Sequence, residues 1–169
     1  ENLTGHVHIV VPDSVCEEMV NAHYIDFHSS FPHITIRFTT ADTNVMFDML
    51  DHNEADFIIT LDRHSYHKDY IIAKEQQLPM HFVTNSNSKY AGIKGLSIRD
   101  IAAEPFILTE YGQGYRRVFD KELAKKSCEN NNIKAEMYSQ YDVKRGLRDA
   151  NGFGVVTGLT EVSNVKSRE

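Results

Sequence analysis

The chain has no tryptophan, four prolines and two cysteines in 169 residues, and each scarcity excludes something. Cys16 and Cys128 lie far apart without a CxxC partner, so neither a disulfide framework nor a zinc-ribbon spacing is available. Both read as reduced, buried thiols. No apolar run approaches the ~20 residues that a membrane helix requires. The chain does not open on the basic, apolar and small-residue pattern of a secretory signal either. A cytoplasmic setting without a membrane partner is therefore the expectation. Basic residues are also few, with 18 Lys and Arg against 24 Asp and Glu and a formal net charge of -6. Phosphate backbones are held by clustered Lys and Arg, so this stretch is not expected to bind DNA by itself.

Reaction motifs are scarce too. There is no P-loop, no G-x-S-x-G elbow and no HExxH. Gly112-Gln-Gly-Tyr-Arg-Arg117 fails the dinucleotide fingerprint at its last position, where Arg117 stands for glycine. Nine histidines invite a metal reading, since His6 and His8 share a strand face and His64-x-x-His67 sits in a polar stretch. No third ligand accompanies either pair at a fixed spacing, and scattered solvated histidines are the simpler account. We expect no cofactor, no metal and no enzyme activity.

What is present is an ordinary globular composition, 41% hydrophobic and 25% charged, on a chain long enough to bury a core. The stretch Gly5 to Pro32 organises it. β-branched residues dominate positions 6 to 11, which predicts a largely buried strand. Pro12 and Asp13 break it. Ser14 followed by Glu17 has the spacing of a capping box, which predicts a helix of roughly four turns stopped at Phe31-Pro32. A helix N-terminus at the carboxyl end of a strand is the edge where open α/β sheets collect ligands, and its free amides favour an anion or a polar head group. Glu17 already meets part of that positive end, which leaves zwitterionic, hydroxylated and neutral ligands open.

Alternation at Ile34, Ile36 and Phe38 predicts a second strand. Thr40-Ala41-Asp42 is the turn after it. Asp42 or Thr43 caps a short helix with Val45, Met46, Met49 and Leu50 on one face, and Asn53 ends it in a left-handed conformation. Asp56 to Ile59 is a third, buried strand. This βαβαβ order with short connections implies a parallel sheet. Farther on, Ile71 to Glu75 and His81 to Thr84 are strand candidates around Pro79, and Asn85 to Tyr90 is turn-rich. Ser97 with Asp100 starts a brief helix, and Phe106 to Leu108 is buried strand. The polar turn from Thr109 to Tyr115 opens a helix with Tyr115, Val118, Phe119 and Leu123 inward, ended by Asn130-Asn131-Asn132. Ala135 to Tyr138 is strand. Val143 to Ala150 is helix, capped by Asp142 and stopped at Asn151-Gly152, and Phe153 to Thr157 is the final strand.

Laid out in this way, Gly5-x-Val-x-Ile9, Pro12-x-Ser14, Phe31-Pro32, Leu50-x-x-Asn53 and Asp56-Phe57-Ile58-Ile59 resemble the opening half of the effector-binding domain of LysR-type transcriptional regulators. Ser97-x-x-Asp100-Ile101, Glu104 to Leu108 and Ala150 to Val155 resemble its later motifs. Val10 and Asn53 depart from it, standing where the family usually has glycine. The family's N-terminal winged helix-turn-helix is not in this sequence, and its usual C-terminal strand and helix are not seen.

The resemblance implies an α/β fold of two Rossmann-like lobes joined by crossover strands, like type 2 periplasmic binding proteins. Lobe one would hold residues 1–80 with 157–169 returning to it, and lobe two residues 81–156. A small polar metabolite would bind in the cleft to control transcription, with DNA held only through the absent domain. Ser14 and Thr40 become candidate effector contacts, although Ser14 also serves as a cap and Thr40 as a plain turn residue. Thr109, Gln113 and Tyr115 join them from the second turn. Gly112 and Gly114 either let an effector approach backbone amides or supply positive φ.

The first helix carries two apolar stripes, Cys16, Val20 and Phe27 toward the sheet and Val15, Met19 and Ala22 to one side. A helix that broad needs a second partner. The resemblance implies an antiparallel homodimer that pairs it with the 115–128 helix of its mate. A type 2 periplasmic solute-binding protein is the rival reading, and a small hydrolase or transferase the third.

Overall fold

The computed structural model describes residues 3–62, 68–128 and 132–158, the side chains of 21 and 22 excepted. The chain divides into two compact units, Glu1–Leu61 and Asp62–Glu169. Among the described residues no helix is long and apolar enough to cross a membrane.

The first unit is a parallel three-stranded sheet flanked by helices. β1 (Gly5–Val11) is its central strand, with β2 (Ile34–Thr40) on one side and β3 (Phe57–Ile58) on the other. Between β1 and β2 run α1 (Asp13–Ala22) and α2 (Tyr24–Ser30), and α3 (Thr43–Asp51) leads to β3. Asp42 is the N-cap of α3, and Asn53 turns the chain out of it at φ 55°. The β1–β2 register pairs Val11 with Thr40, so both strands end at the same sheet edge.

Several expectations change here. The helix begins at Asp13 rather than Ser14, because the Pro12 carbonyl accepts from the amides of Val15 and Cys16, both at 3.0 Å, which makes Pro12 the N-cap. Without Ser14 at the cap position, the capping box does not form. The helix also breaks at His23, where φ is −128°, into two shorter pieces. Burial on β1 is confined to Val10 and Val11, at its carboxyl end, and β3, an edge strand, is two residues long with Phe57 52% exposed. On α1 Val15 is buried, Val20 is exposed and Cys16 is half-buried, and on α3 Met46 is buried while Val45 faces solvent. The side chain of Ala22 lies outside the described residues.

The second unit holds a four-stranded mixed sheet in the order β4-β7-β5-β6. Its elements run β4 (Met80–Thr84), α4 (Ile98–Ile101), β5 (Phe106–Thr109), α5 (Gly114–Lys125), β6 (Ile133–Met137), α6 (Gln140–Gly146) and β7 (Phe153–Thr157). β5 pairs in parallel with β6 and β7, and β4 runs antiparallel to β7. Every residue of β5 and β7 is buried. Phe106, Leu108, Phe119, Leu123, Phe153 and Val155 pack on one face with α4, and Ile107, Val143, Leu147 and Val156 on the other with Val83. α4 starts with the expected capping box, in which both the amide and the hydroxyl of Ser97 donate to Asp100 at 2.7 Å.

Residues 70–79 form no strand, and Ile71 is 95% exposed: β-branched residues are not enough where no ladder partner is at hand. α5 ends at Lys125, with Ser127 in the left-handed region at φ 52°, ahead of the asparagine run. Asn130 and Asn131 lie outside the described residues, and Asn132 donates to the Ala103 carbonyl. Val118 on α5 is half-buried rather than inward-facing, and Cys128 is half-buried too. α6 is capped by Ser139, whose hydroxyl oxygen accepts from the Asp142 amide at 3.2 Å, so Asp142 is the third helical residue instead of the cap. That helix stops at Gly146; Gly152 instead turns the chain into β7 with φ 153°, where a Cβ would meet the Pro105 carbonyl oxygen at 2.6 Å. Residues 159–169 of the expected returning tail lie outside the described residues.

Candidate functional site

Strand ends and helix starts gather the candidate residues at one sheet edge in each unit. In the first unit Ser14 is buried in the first turn of α1, three residues past Val11. Thr40 sits opposite Val11 and is exposed, and the Ala41 amide donates to the Val11 carbonyl at 3.2 Å. The two threaded turns therefore leave the same edge side by side. Their local charge is negative: Asp13 lies in the first turn of α1 and Asp42 caps α3. The Cys16 thiol registers this field, since burial first, then Asp13 and Glu17, push it above its ordinary pKa. A raised pKa leaves it protonated and poorly nucleophilic.

His8, one strand face away, is fully engaged in structure. Its Nδ1 donates to the Glu54 carbonyl, its Nε2 lies 2.7 Å from Thr39 Oγ1, and its backbone amide donates to Asp56 at 2.8 Å. Among the described residues no three His, Cys, Asp or Glu side chains gather to hold a metal ion. His64 and His67 lie outside the described residues.

The second unit builds its edge from β5, β6 and β7. Thr109 closes β5 and is 1% exposed, with a hydroxyl that has no hydrogen-bond partner among the described residues. The Glu110 amide donates to the Met137 carbonyl at 3.0 Å, and the Gln113 amide returns to the Glu110 carbonyl at 3.2 Å, which folds the turn tightly. Gln113 is the N-cap of α5 and is 7% exposed, yet its side chain makes no cap bond. Gly114 and Tyr115 are buried in the first turn and Gly112 is half-buried. Neither Gly112 nor Gly114 has a positive φ, so that explanation for the two glycines falls.

Sequence reasoning missed the residue that holds this turn. Arg116 is 5% exposed, and its Nη1 donates to the Thr109 carbonyl at 2.6 Å and to Glu136 at 2.9 Å, while Nε donates to Asp120 at 3.1 Å. A buried guanidinium is costly unless paired, and here two carboxylates and a carbonyl share it. Gln140 and Thr157 were missed as well. The wholly buried Gln140 accepts from the Thr157 amide at 2.7 Å and donates to its hydroxyl at 3.0 Å, pinning the start of α6 to the end of β7. Apart from the i,i+4 pair inside α5, these contacts join different elements across 7, 17 or 20 residues, so no periodicity announces them.

The model of the LysR substrate binding domain matches residues 1–159 of this chain. No curated protein matches it. Among solved structures, HinK, a LysR family transcriptional regulator from Pseudomonas aeruginosa, is 16% identical with a TM-score of 0.70, covering 95% of this chain and 55% of its own. The CcmR regulatory domain of Synechocystis PCC6803 in complex with 2-PG is 17% identical with a TM-score of 0.72, over 95% of this chain and 76% of its own. The effector binding domain of QuiR in complex with shikimate is 16% identical with a TM-score of 0.71, over 97% and 79%. The chain thus spans about half the length of the first of these.

Proposed function

Because the chain belongs to the LysR substrate binding domain family and has its two-lobed α/β fold, like that of type 2 periplasmic binding proteins, we propose that it is the metabolite-sensing part of a transcription regulator. The observation that carries this reading is the match of the family model over residues 1–159, almost the whole chain. The effector is a small polar molecule, and its candidate contacts are Ser14 and Thr40 on the first unit and Thr109, Gly112, Gln113, Gly114 and Tyr115 on the second. All seven stand at the carboxyl edges where strands hand over to helices. The chain acts by binding, not by turnover, and controls DNA through a domain outside this sequence.

An effector can shift a regulator only by its differential affinity for two arrangements. Here the two arrangements would be read out through assembly. The exposed side chains of Val20, Tyr24, Ile25 and Phe31 on α1, α2 and the turn after them support pairing of this face with α5 of a second copy, in the cytoplasm.

The test is a thermal-shift screen of amino acids, aromatic and aliphatic carboxylates, sugars, shikimate and 2-PG. One class should raise the midpoint saturably, as binding to the folded state alone requires. Ser14→Ala or Thr40→Val should then weaken that compound by about 1 kcal/mol or more. A flat response across the panel, or turnover of any member, contradicts the reading.

A further inference from the structure

We propose that Asn151 is a self-modification site, at which the chain converts asparagine to aspartate and isoaspartate without an enzyme and so loosens the entry to β7. Asparagine is among the thermolabile side chains, and Asn151-Gly152 is the one Asn-Gly pair in the sequence. The backbone nitrogen that follows the asparagine attacks its carboxamide. The fold must therefore leave the carboxamide unheld and the following amide undonated, and must place no side chain where it would crowd the closing ring.

The second unit meets each condition. Asn151 is exposed in the bend between α6 and β7, and its carboxamide makes no hydrogen bond among the described residues. The Gly152 amide donates to no group among them either; the first bond into the strand runs from the Phe153 amide to the Pro105 carbonyl at 2.8 Å. Packing forces the last condition. Gly152 has a φ of 153°, and a Cβ there would lie 2.6 Å from the Pro105 carbonyl oxygen, so glycine is required. The close approach that seats β7 thus excludes every side chain that would slow the attack. Asn85, which precedes Ser86, shows the protected case. Its Nδ2 donates to the carbonyls of Leu147 and Arg148, and its Oδ1 accepts from the Asn87 amide at 2.8 Å, which holds the carboxamide in place. Asn87 also precedes a serine but is exposed, and so stands between the two.

The step needs no partner except water. The Gly152 nitrogen bonds to Asn151 Cγ and gives up its proton, the Cγ–Nδ2 bond breaks, and the nitrogen leaves as ammonia with that proton. Water then opens the cyclic imide at either carbonyl, giving aspartate or isoaspartate, with nothing oxidised or reduced. Aspartate keeps the main chain intact at an exposed position. Isoaspartate adds a main-chain carbon directly before Gly152, whose carbonyl accepts from Thr84 Oγ1 at 2.6 Å, and before β7, which is buried at every residue. Register is strongly specified in a buried strand, so the added length is absorbed only by giving up these bonds.

The experiment ages the folded chain at mildly alkaline pH, where the attacking nitrogen loses its proton more readily, and follows it by peptide mass spectrometry and thermal melts. Residue 151 should gain one mass unit before Asn87 does, with Asn85 last, and its peptide should split into two chromatographic peaks. A second, lower-melting transition should grow in step with the isoaspartate peak. Asn151→Gln, aged for the same time, should lack both the mass gain and that transition. Freshly prepared Asn151→Asp, which carries the charge without the added carbon, should melt with the fresh chain. An Asn151 that is intact when Asn87 has reacted, a melt that ages identically in Asn151→Gln, or an isoaspartate peak without the second transition would each overturn the proposal.

Discussion

The two units solve the same problem, a helix start set on a sheet edge, with very different interiors. The first buries a core of Val10, Met46 and Ala55, while β1 and β2 remain partly exposed along most of their length. The second buries two strands completely and packs both sheet faces, with the Phe106 ring tilted against those of Phe119 and Phe153 at 5.6 and 5.8 Å on one side. Burial fraction rises with size, and the first unit is the smaller, so part of the contrast is geometric. Exposed apolar surface does not separate them, since Ile25 in the first unit is 71% exposed and Ile71 in the second 95%. The difference lies in enclosure: β5 and β7 are covered along their whole length, while β1 is covered only at Val10 and Val11.

Core truncation separates them most sharply. Phe106→Ala should cost about 3–5 kcal/mol and Met46→Ala about 2–3, since the larger and better enclosed side chain leaves the larger cavity. Denaturant melts give the sizes. Hydrogen exchange should place the second loss in residues 3–61 alone; if exchange rises equally in both units after Met46→Ala, the units are not separate in stability.

Next comes the polar pin of the second unit. Gln140→Leu strands the Thr157 amide in a buried site and should cost about 1–3 kcal/mol. A neutral result would mean that the α6–β7 junction relaxes to find another acceptor.

A charge on the outward face of the first unit should do little to folding and much to assembly. Ile25→Lys is expected to stay within about 0.5 kcal/mol in a melt while shifting sedimentation toward monomer. Unchanged sedimentation would remove α2 from the interface.

The smallest effect is in acid. In the second unit the Tyr90 hydroxyl first, then Lys89, hold the Glu104 carboxyl below its ordinary pKa, and Ser97 does the same for Asp100. Both pKa values are depressed on folding, so their stabilisation is present above the unfolded values and is lost as pH falls through the folded ones. Asp100 is exposed and Glu104 half-buried, both still screened by water, so the loss is slight. Tyr90→Phe should flatten the acid limb of the melting curve between those limits; an identical limb would assign no role to the 2.5 Å bond from Tyr90 to Glu104.

The sequence made legible what neighbours along the chain decide. The alternation of Ile34, Ile36 and Phe38 places β2, Asn53 turns where its left-handed tolerance predicts, and Ser97 and Asp100 close their capping box. The candidate corners were legible for the same reason, because a polar turn between an apolar strand and an amphipathic helix is a local pattern. What stayed hidden is settled across space. Pro12 outcompeted Ser14 for the cap because its carbonyl was already placed to accept, and Ile71 and Ile72 lacked a ladder despite their β propensity. The twenty residues between Arg116 and Glu136 carry no periodic sign that the two meet.

The central claim is that a small polar effector meets the sheet edges where strands hand over to helices. Amide chemical-shift mapping with the compound that stabilises the chain in the screen measures this directly. The prediction is saturable movement among Ser14, Thr40–Ala41 and Thr109 through Tyr115. Shifts confined to residues away from these edges would contradict it.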